Sequence, residues 1–185
     1  MLIIKLNMEK KFLSKLSDNN EIEAHIRYSS DINGVIVEIG VLNGHTTRFI
    51  LENTKSNVYG IDPIIPDSMN PTLIGDVNKI KELEKNHLHF TFIQDYSFNV
   101  VKNWDKIIDY IFIDGDHTYE SVKQDFEEWY PHVKIGGIIS IHDSSANRGG
   151  PPFWPGPSRL ADELINDDRL EYIETLTALT VFKKK

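Results

Sequence analysis

Val35-Ile36-Val37-Glu38-Ile39-Gly40-Val41-Leu42-Asn43-Gly44-His45-Thr46-Thr47 reads as a buried strand that stops at one glycine and resumes, after a second glycine, as a helix. The run Val35 to Ile39 is β-branched apart from Glu38, as expected of a strand covered on both faces. Gly40 and Gly44 let the backbone turn sharply and approach a ligand closely. The helix, expected from about Thr46 to Asn53, presents unpaired N–H groups at its start to a carboxylate or a phosphate. A plain strand-to-helix connection that needs glycines fits the same letters, so the surrounding chain has to decide.

Outward from this turn, short apolar runs alternate with segments of helical period. Asn57 to Asp62, His89 to Ile93 and Tyr110 to Asp114 read as the next strands, with Val77, Ile80 and Leu83 marking a helix over Asp76 to Lys85. Tyr119, Val122, Phe126 and Trp129 mark another helix before Gly136-Gly137 turns into a fifth strand, Ile138 to Ile141. After the Gly/Pro-rich run 149–157 come a short helix over Arg159 to Ile165 and a closing antiparallel hairpin, Leu170 to Thr175 and Thr177 to Phe182. Upstream, Phe12, Leu13, Leu16, Ile22 and Ile26 outline one or two covering helices over Met8 to Tyr28, broken near Ser17-Asp18-Asn19-Asn20. The alternation predicts an α/β fold: a Rossmann-like, doubly wound, mainly parallel seven-stranded sheet with a C-terminal antiparallel hairpin and helices on both faces. We expect a single domain over 1–185, with covering helices in 1–30, a core in 35–143, and a loop, helix and hairpin in 144–185.

Composition narrows the function. With 185 residues, 40% of them hydrophobic, the chain can bury one sheet on both faces. A formal net charge of −8 argues against a broad basic face for nucleic-acid phosphates, and small or neutral partners fit better. The absence of cysteine removes disulfides, zinc-thiolate sites and thiol nucleophiles, and is compatible with a cytoplasmic setting. No apolar run approaches the roughly 20 residues of a membrane span, so no membrane partner is expected. Lys183-Lys184-Lys185 reads as a solvated tail.

Asp62 ends the second strand about 20 residues past the glycine loop, where a Rossmann-type domain offers a carboxylate to ribose hydroxyls. With the spacing Glu38-x-Gly40-x-x-x-Gly44, the chain resembles the class I S-adenosylmethionine-dependent methyltransferases, and it lacks the Gly-x-Gly-x-x-Gly of nucleotide dehydrogenases. The resemblance implies S-adenosylmethionine as cofactor, with Gly40, Gly44 and their neighbours at the methionyl end, Glu38 ordering the loop and Asp62 on the ribose. It also sets Ile93-Gln94-Asp95-Tyr96-Ser97 at the adenine, with Asp95 displaced by one position from the usual acidic residue, and Asp114 beside the cofactor.

Asp114-Gly115-Asp116-His117 follows the fourth strand and His142-Asp143 the fifth, so both clusters emerge at the carboxyl edge where open α/β sheets bind ligands. Methyl transfer is an in-line displacement that needs positioning and removal of an acceptor proton. His117 is the first candidate for the base and Asp116 a weaker one; capping of the helix that follows is the structural alternative for both. The segment Asp114-Gly115-Asp116-His117-Thr118-Tyr119-Glu120, with Gly136-Gly137 and His142-Asp143, is similar to a branch of small-molecule and sugar O-methyltransferases. That resemblance covers about Val35 to Ser144 and implies a small hydroxylated acceptor and a divalent cation such as magnesium or manganese on Asp114, His142 and Asp143. An imidazole in place of a carboxylate moves the preference from magnesium toward manganese, iron, zinc or no metal. In the loop Asn147 to Pro157, Phe153 and Trp154 either close over substrate or pack the loop onto the sheet, and Arg148 either meets an acidic substrate group or is solvated. His25, His45, His87, His89 and His132 read as structural or solvated, with His45 nearest the cofactor turn. A homodimer would be one way to complete an open site. A catalytically silent cofactor-binding domain and a nucleotide-dependent oxidoreductase are the competing readings.

Overall fold

The computed structural model describes residues 19–148 and 154–185. The expected first half of the N-terminal helical segment (Phe12, Leu13, Leu16) and Phe153 lie outside the described residues. Helix α1 (Asn19–Ser30) starts where the chain breaks its helical period, and the strands and helices then alternate: β1 (Val35–Ile39), α2 (His45–Asn53), β2 (Asn57–Ile61), α3 (Val77–Asn86), β3 (Phe90–Ile93) and a short α4 (Ser97–Val100). β4 (Ile108–Ile113), α5 (Tyr119–Trp129), β5 (Val133–Ile141), α6 (Pro155–Leu164), β6 (Leu170–Leu176) and β7 (Leu179–Lys184) complete the chain.

The strands form one seven-stranded sheet in the order β3-β2-β1-β4-β5-β7-β6. β1 to β5 are parallel, and β7 runs antiparallel between β5 and β6, as expected of the closing hairpin. Side chains alternate faces along each strand, so the sheet feeds two cores. Val37, Ile39, Ile111 and Ile113 pack with Val122, Phe126 and Trp129 of α5 and Leu160 and Leu164 of α6. Ile36, Tyr110 and Phe112 pack on the other side with Ala24 of α1, Ile50 and Leu51 of α2 and Ile80 of α3. The polypeptide therefore leaves β1 toward one face and β4 toward the other. These adjacent strands make the fork at which a doubly wound sheet opens a crevice above its carboxyl edge.

Three details differ from the sequence reading. Gly136-Gly137 is not a turn before the fifth strand but lies inside β5, where the register with β4 jumps from Ile108↔Val133 to Tyr110↔Ile138. The extra residues are absorbed as a bulge in which Gly136 takes φ +77°, a conformation that favours glycine. Helix α6 begins at Pro155, inside the supposed proline loop, because proline suits the first helical turn where its missing N–H is not needed. Lys183 and Lys184 belong to β7 rather than to a tail beyond it, and Lys184 Nζ donates to the carbonyls of Tyr130 and Val133, while the side chain of Lys183 is exposed.

Candidate functional site

The glycine turn is built by close approach. Gly40 has φ +84°, and a Cβ there would lie 1.9 Å from the carbonyl oxygen of Asp114. The ends of three strands are tied at this point: Gly40 N–H donates to Ile61 O at 2.9 Å, and Asp114 N–H donates to Ile39 O at 2.8 Å. Gly44, with φ +71°, starts α2 without any side-chain cap. Asp62 braces the loop between them. Its Oδ2 accepts the N–H groups of Val41 and Leu42, both at 2.8 Å, and its Oδ1 accepts that of Ile64 at 2.7 Å. This bracing holds Leu42 at φ +52°. Beneath the turn Glu38 is buried and accepts a hydrogen bond from Thr47 Oγ1 at 2.6 Å, which ties β1 to α2. Burial pushes its carboxyl up to about 8 against the opposing pull of Thr47, so Glu38 is mainly neutral at pH 7.

Above this turn lies a cavity of about 630 Å³, within the range of sites for small molecules. Glu38, Gly40, Asp62, Asp114, Asp116, His117, His142 and Asp143 all line it. Gly44 stands behind the wall and acts through backbone shape. Asp95 is outside the cavity and exposed: its Oδ1 accepts from Tyr96 N at 2.7 Å and from Asn99 Nδ2 at 3.0 Å, bracing the start of α4. From the same segment Tyr96, Ser97 and Phe98 form the cavity wall, while the carboxylate of Asp95 is engaged at the start of α4.

At the ends of β4 and β5 two imidazoles are interleaved with four carboxylates. His117 is buried, with Nδ1 2.8 Å from Asp67 Oδ2 and Nε2 3.0 Å from Asp143 Oδ2, and the ring of Trp154 stacks on it at 4.0 Å and 24°. A ring flanked by carboxylates at both nitrogens suits the doubly protonated form, which donates twice. Burial lowers its pKa, but the bonds to Asp143 and Asp67 outweigh that and raise it to about 9. His142 reaches Asp114 Oδ1 through Nδ1 at 3.1 Å and Glu21 Oε2 through Nε2 at 3.3 Å. Burial opposes its charge, yet Asp114, Asp143 and Glu21 hold it well above its ordinary value. Burial would raise Asp143, but its two histidine partners hold it well below the usual carboxylate range. Among the described residues, the set whose ligand atoms converge within 4.8 Å is Asp114, His117 and Asp143. His142, which the family resemblance put among the metal ligands, is outside that set, its ring turned between Asp114 and Glu21.

Asp116, the weaker candidate base, is engaged by three donors. Its carboxylate accepts from Ser68 N at 3.1 Å, Thr118 N at 3.0 Å and Thr118 Oγ1 at 2.7 Å. Burial works against ionisation, but these bonds bring it down to about 2, too weakly basic to take a hydroxyl proton near neutrality. The cap of α5 is Thr118, whose hydroxyl accepts from Ser121 N, which leaves His117 free of capping.

A family model described as a methyltransferase domain matches residues 37–144, from β1 to just past Asp143. The chain belongs to the methyltransferase-domain family. Protein R132 of Acanthamoeba polyphaga mimivirus, itself described as uncharacterized, is 30% identical over 134 residues. That alignment covers 69% of this chain and 59% of R132, so the chain spans about three-fifths of the length of this curated relative. Among solved structures, the O-methyltransferase NovP superposes with a TM-score of 0.69 at 18% identity, over 89% of this chain and 79% of NovP. The SAH-bound methyltransferase PaMTH1 of Podospora anserina gives 0.67 at 16% identity, over 93% of this chain and 81% of its own. At these identities the likeness is one of fold.

In this methyltransferase-family chain, Glu21, Asp67 and Asp125 line the cavity without having been singled out in the sequence, while Ser97 lines it from the segment that the resemblance set at the adenine. Glu21 sits on the buried face of α1 beside Ile22, and Asp67 in the β2–α3 connection, where no local pattern separates either from an ordinary surface acid. His25 is buried and donates to or accepts from Tyr110 Oη at 2.7 Å; burial, then His142, lowers it to about 3, a neutral structural histidine as expected. Arg148 is neither solvated nor open to substrate: its guanidinium is held by Asp162 and the Ser144 carbonyl. Among the described residues no helix is long and apolar enough to cross a membrane.

Proposed function

We propose that this chain transfers the methyl group of S-adenosylmethionine to a hydroxyl of a small acceptor. The observation that carries the reading is the acidic cavity at the β1/β4 fork, whose floor is the Gly40 turn braced by Asp62. The cofactor supplies a methyl on a cationic sulfonium, and a wall rich in carboxylates suits that charge. The Gly40 turn and the uncapped start of α2 would receive the methionyl end, where the helix offers free N–H groups to a carboxylate. Asp62 Oδ1, bonded once by Ile64 N–H, retains a lone pair for a ribose hydroxyl. The acceptor then lies against His117, His142, Asp143 and Trp154. His117, in its neutral form, takes the acceptor proton, and its raised basicity makes it a strong but sparsely populated base at pH 7.

The family match and the O-methyltransferase among the structural neighbours support this reading. The convergence of Asp114, His117 and Asp143 favours a second version, in which these residues hold a divalent cation that polarises the acceptor hydroxyl. The mixed imidazole and carboxylate donors suit manganese, iron or zinc better than magnesium. The test is calorimetric titration with S-adenosylhomocysteine, beside NADH, with and without Mn²⁺. Binding of the first alone supports the proposal, and tighter binding with Mn²⁺ that His117→Ala abolishes supports the cation. Binding of NADH instead overturns it. Binding of S-adenosylhomocysteine followed by a failed broad hydroxyl-acceptor screen would favour the silent binding domain.

A further inference from the structure

Asp67 lines the cavity from the connection between β2 and α3, and the family resemblance gave it no role. That connection is fixed at both ends to the glycine turn and its brace. Ile64 N–H donates to Asp62 Oδ1 at 2.7 Å, and Asp76 N–H donates to Leu42 O at 3.1 Å. Its tip is fixed to the reaction cluster, where Ser68 N–H donates to Asp116 Oδ2 at 3.1 Å. Beside that clamp the carboxylate of Asp67 is set in one orientation. Oδ1 accepts from Met69 N–H at 2.9 Å and from Asn70 N–H at 2.7 Å, which leaves Oδ2 facing His117 Nδ1 at 2.8 Å. The stacked ring of Trp154 holds the plane of the imidazole.

A neutral imidazole carries one ring hydrogen, and the hydrogen bond made by one nitrogen decides where it sits. His117 lies between two carboxylates, so only one of them keeps a donor once the ring is neutral. Asp67 is the closer, 2.8 Å from Nδ1 against 3.0 Å between Asp143 and Nε2, and the drier, its side chain 7% exposed against 17%. A buried carboxylate that loses its donor has no water to replace it, whereas Asp143 also has His142 Nδ1 at 3.6 Å. We propose that Asp67 is the positioning residue of His117: it keeps the ring hydrogen on Nδ1 and leaves the lone pair of Nε2 to the acceptor. Nε2 takes the proton of the acceptor hydroxyl as its oxygen attacks the methyl carbon and the C–S bond breaks. The methyl ether, S-adenosylhomocysteine and a doubly protonated His117 result. This inference rests on the cofactor and base assigned above.

The test is heteronuclear NMR of the histidine ring nitrogens, with and without S-adenosylhomocysteine, which reads where each ring hydrogen sits. His117→Gln identifies the His117 signals, and each protein is recorded above the titration midpoint of that ring, taken from the same spectra. Wild type should hold the Nδ1–H form over the Nε2–H form by about tenfold or more. Asp67→Asn keeps an oxygen for Met69 and Asn70 and presents an amide N–H to Nδ1, so the hydrogen should move to Nε2 and the ratio invert. A merely structural Asp67 would leave the ratio unchanged. Asp143→Asn is the mirror variant, and in it the hydrogen should stay on Nδ1. An Nε2–H ring in wild type overturns the inference, as does an unchanged ratio in Asp67→Asn or a move to Nε2 in Asp143→Asn. Should Asp67→Asn not fold, by thermal melt, the wild-type ratio and Asp143→Asn decide. If calorimetry shows that wild type does not bind S-adenosylhomocysteine, the cofactor reading has failed, while the ratio read on the protein alone still decides the role of Asp67.

Discussion

Gly40→Ala tests the closest contact in the site. Alanine at φ +84° carries the strain of a left-handed residue, about 1–2 kcal/mol. Its Cβ would meet the backbone oxygen of Asp114 at 1.9 Å, and a backbone atom cannot rotate away as a side chain can. The ends of β1 and β4 must separate by more than an ångström, which loosens the bonds Gly40 N to Ile61 O and Asp114 N to Ile39 O at about 1 kcal/mol each. Less the gain of about 0.5 kcal/mol from a stiffer unfolded chain, the net destabilisation is about 2.5–3.5 kcal/mol. For a domain of this size that is a fall in Tm of roughly 5–14 °C. The expected binding defect for S-adenosylhomocysteine is at least tenfold, because the displaced strand ends are the cavity floor. Gly44→Ala is the control: its Cβ meets Leu83 Cδ1 at 2.4 Å, the far end of a flexible side chain, so only about 1–2 kcal/mol is expected. Scanning calorimetry and titration of both variants decide. A Gly40→Ala protein melting within about 2 °C of wild type with unchanged affinity would refute the assignment of this turn.

Three other substitutions probe separate parts of the site. Glu38→Gln should change the pH dependence of stability: the folded pKa of about 8 lies above the ordinary 4.5, so wild type loses stability as pH rises from about 5 to 8. Gln can still accept from Thr47, and the variant should gain on the order of 2–4 kcal/mol relative to wild type over that window by urea denaturation; an equal difference at pH 5 and pH 8 would contradict the buried neutral carboxyl. Asp62→Ala removes the acceptor of three backbone N–H groups and should lower stability by about 1–3 kcal/mol and weaken S-adenosylhomocysteine at least tenfold, with unchanged affinity as the adverse result. Trp154→Ala, which strips the ring stacked on His117, should leave S-adenosylhomocysteine affinity within about threefold while raising the acceptor KM; a lost cofactor affinity would move Trp154 to the other half of the cavity.

Local letters carried the fold a long way. The strand β1 has the bounds Val35–Ile39 that its β-branched run indicates, and Trp129 and Phe126 are buried as their helical period requires. The bulge at Gly136 was not legible, because a glycine pair reads alike as a turn between elements or as a kink within a strand, and only pairing with β4 distinguishes them. Asp95 shows the same limit at the site. An acid after a strand predicts proximity to the sheet edge, but one peptide of rotation decides whether the carboxylate enters the cavity or braces α4.

By itself the sequence determined the order of strands and helices, the glycine turn and the acids and histidines that end β4 and β5, because hydrophobic period and turn chemistry are local properties. Which charges meet was decided by tertiary structure alone. Glu21 and His142 are brought together across 121 positions, Asp67 and His117 across 50, and Ser97 and Asp125 across 28. Ionisation of each group then follows from burial and from these partners. Burial sets Glu38 near 8, and two distant carboxylates outweigh burial to set His117 near 9, environments that no neighbouring residue in the chain announces.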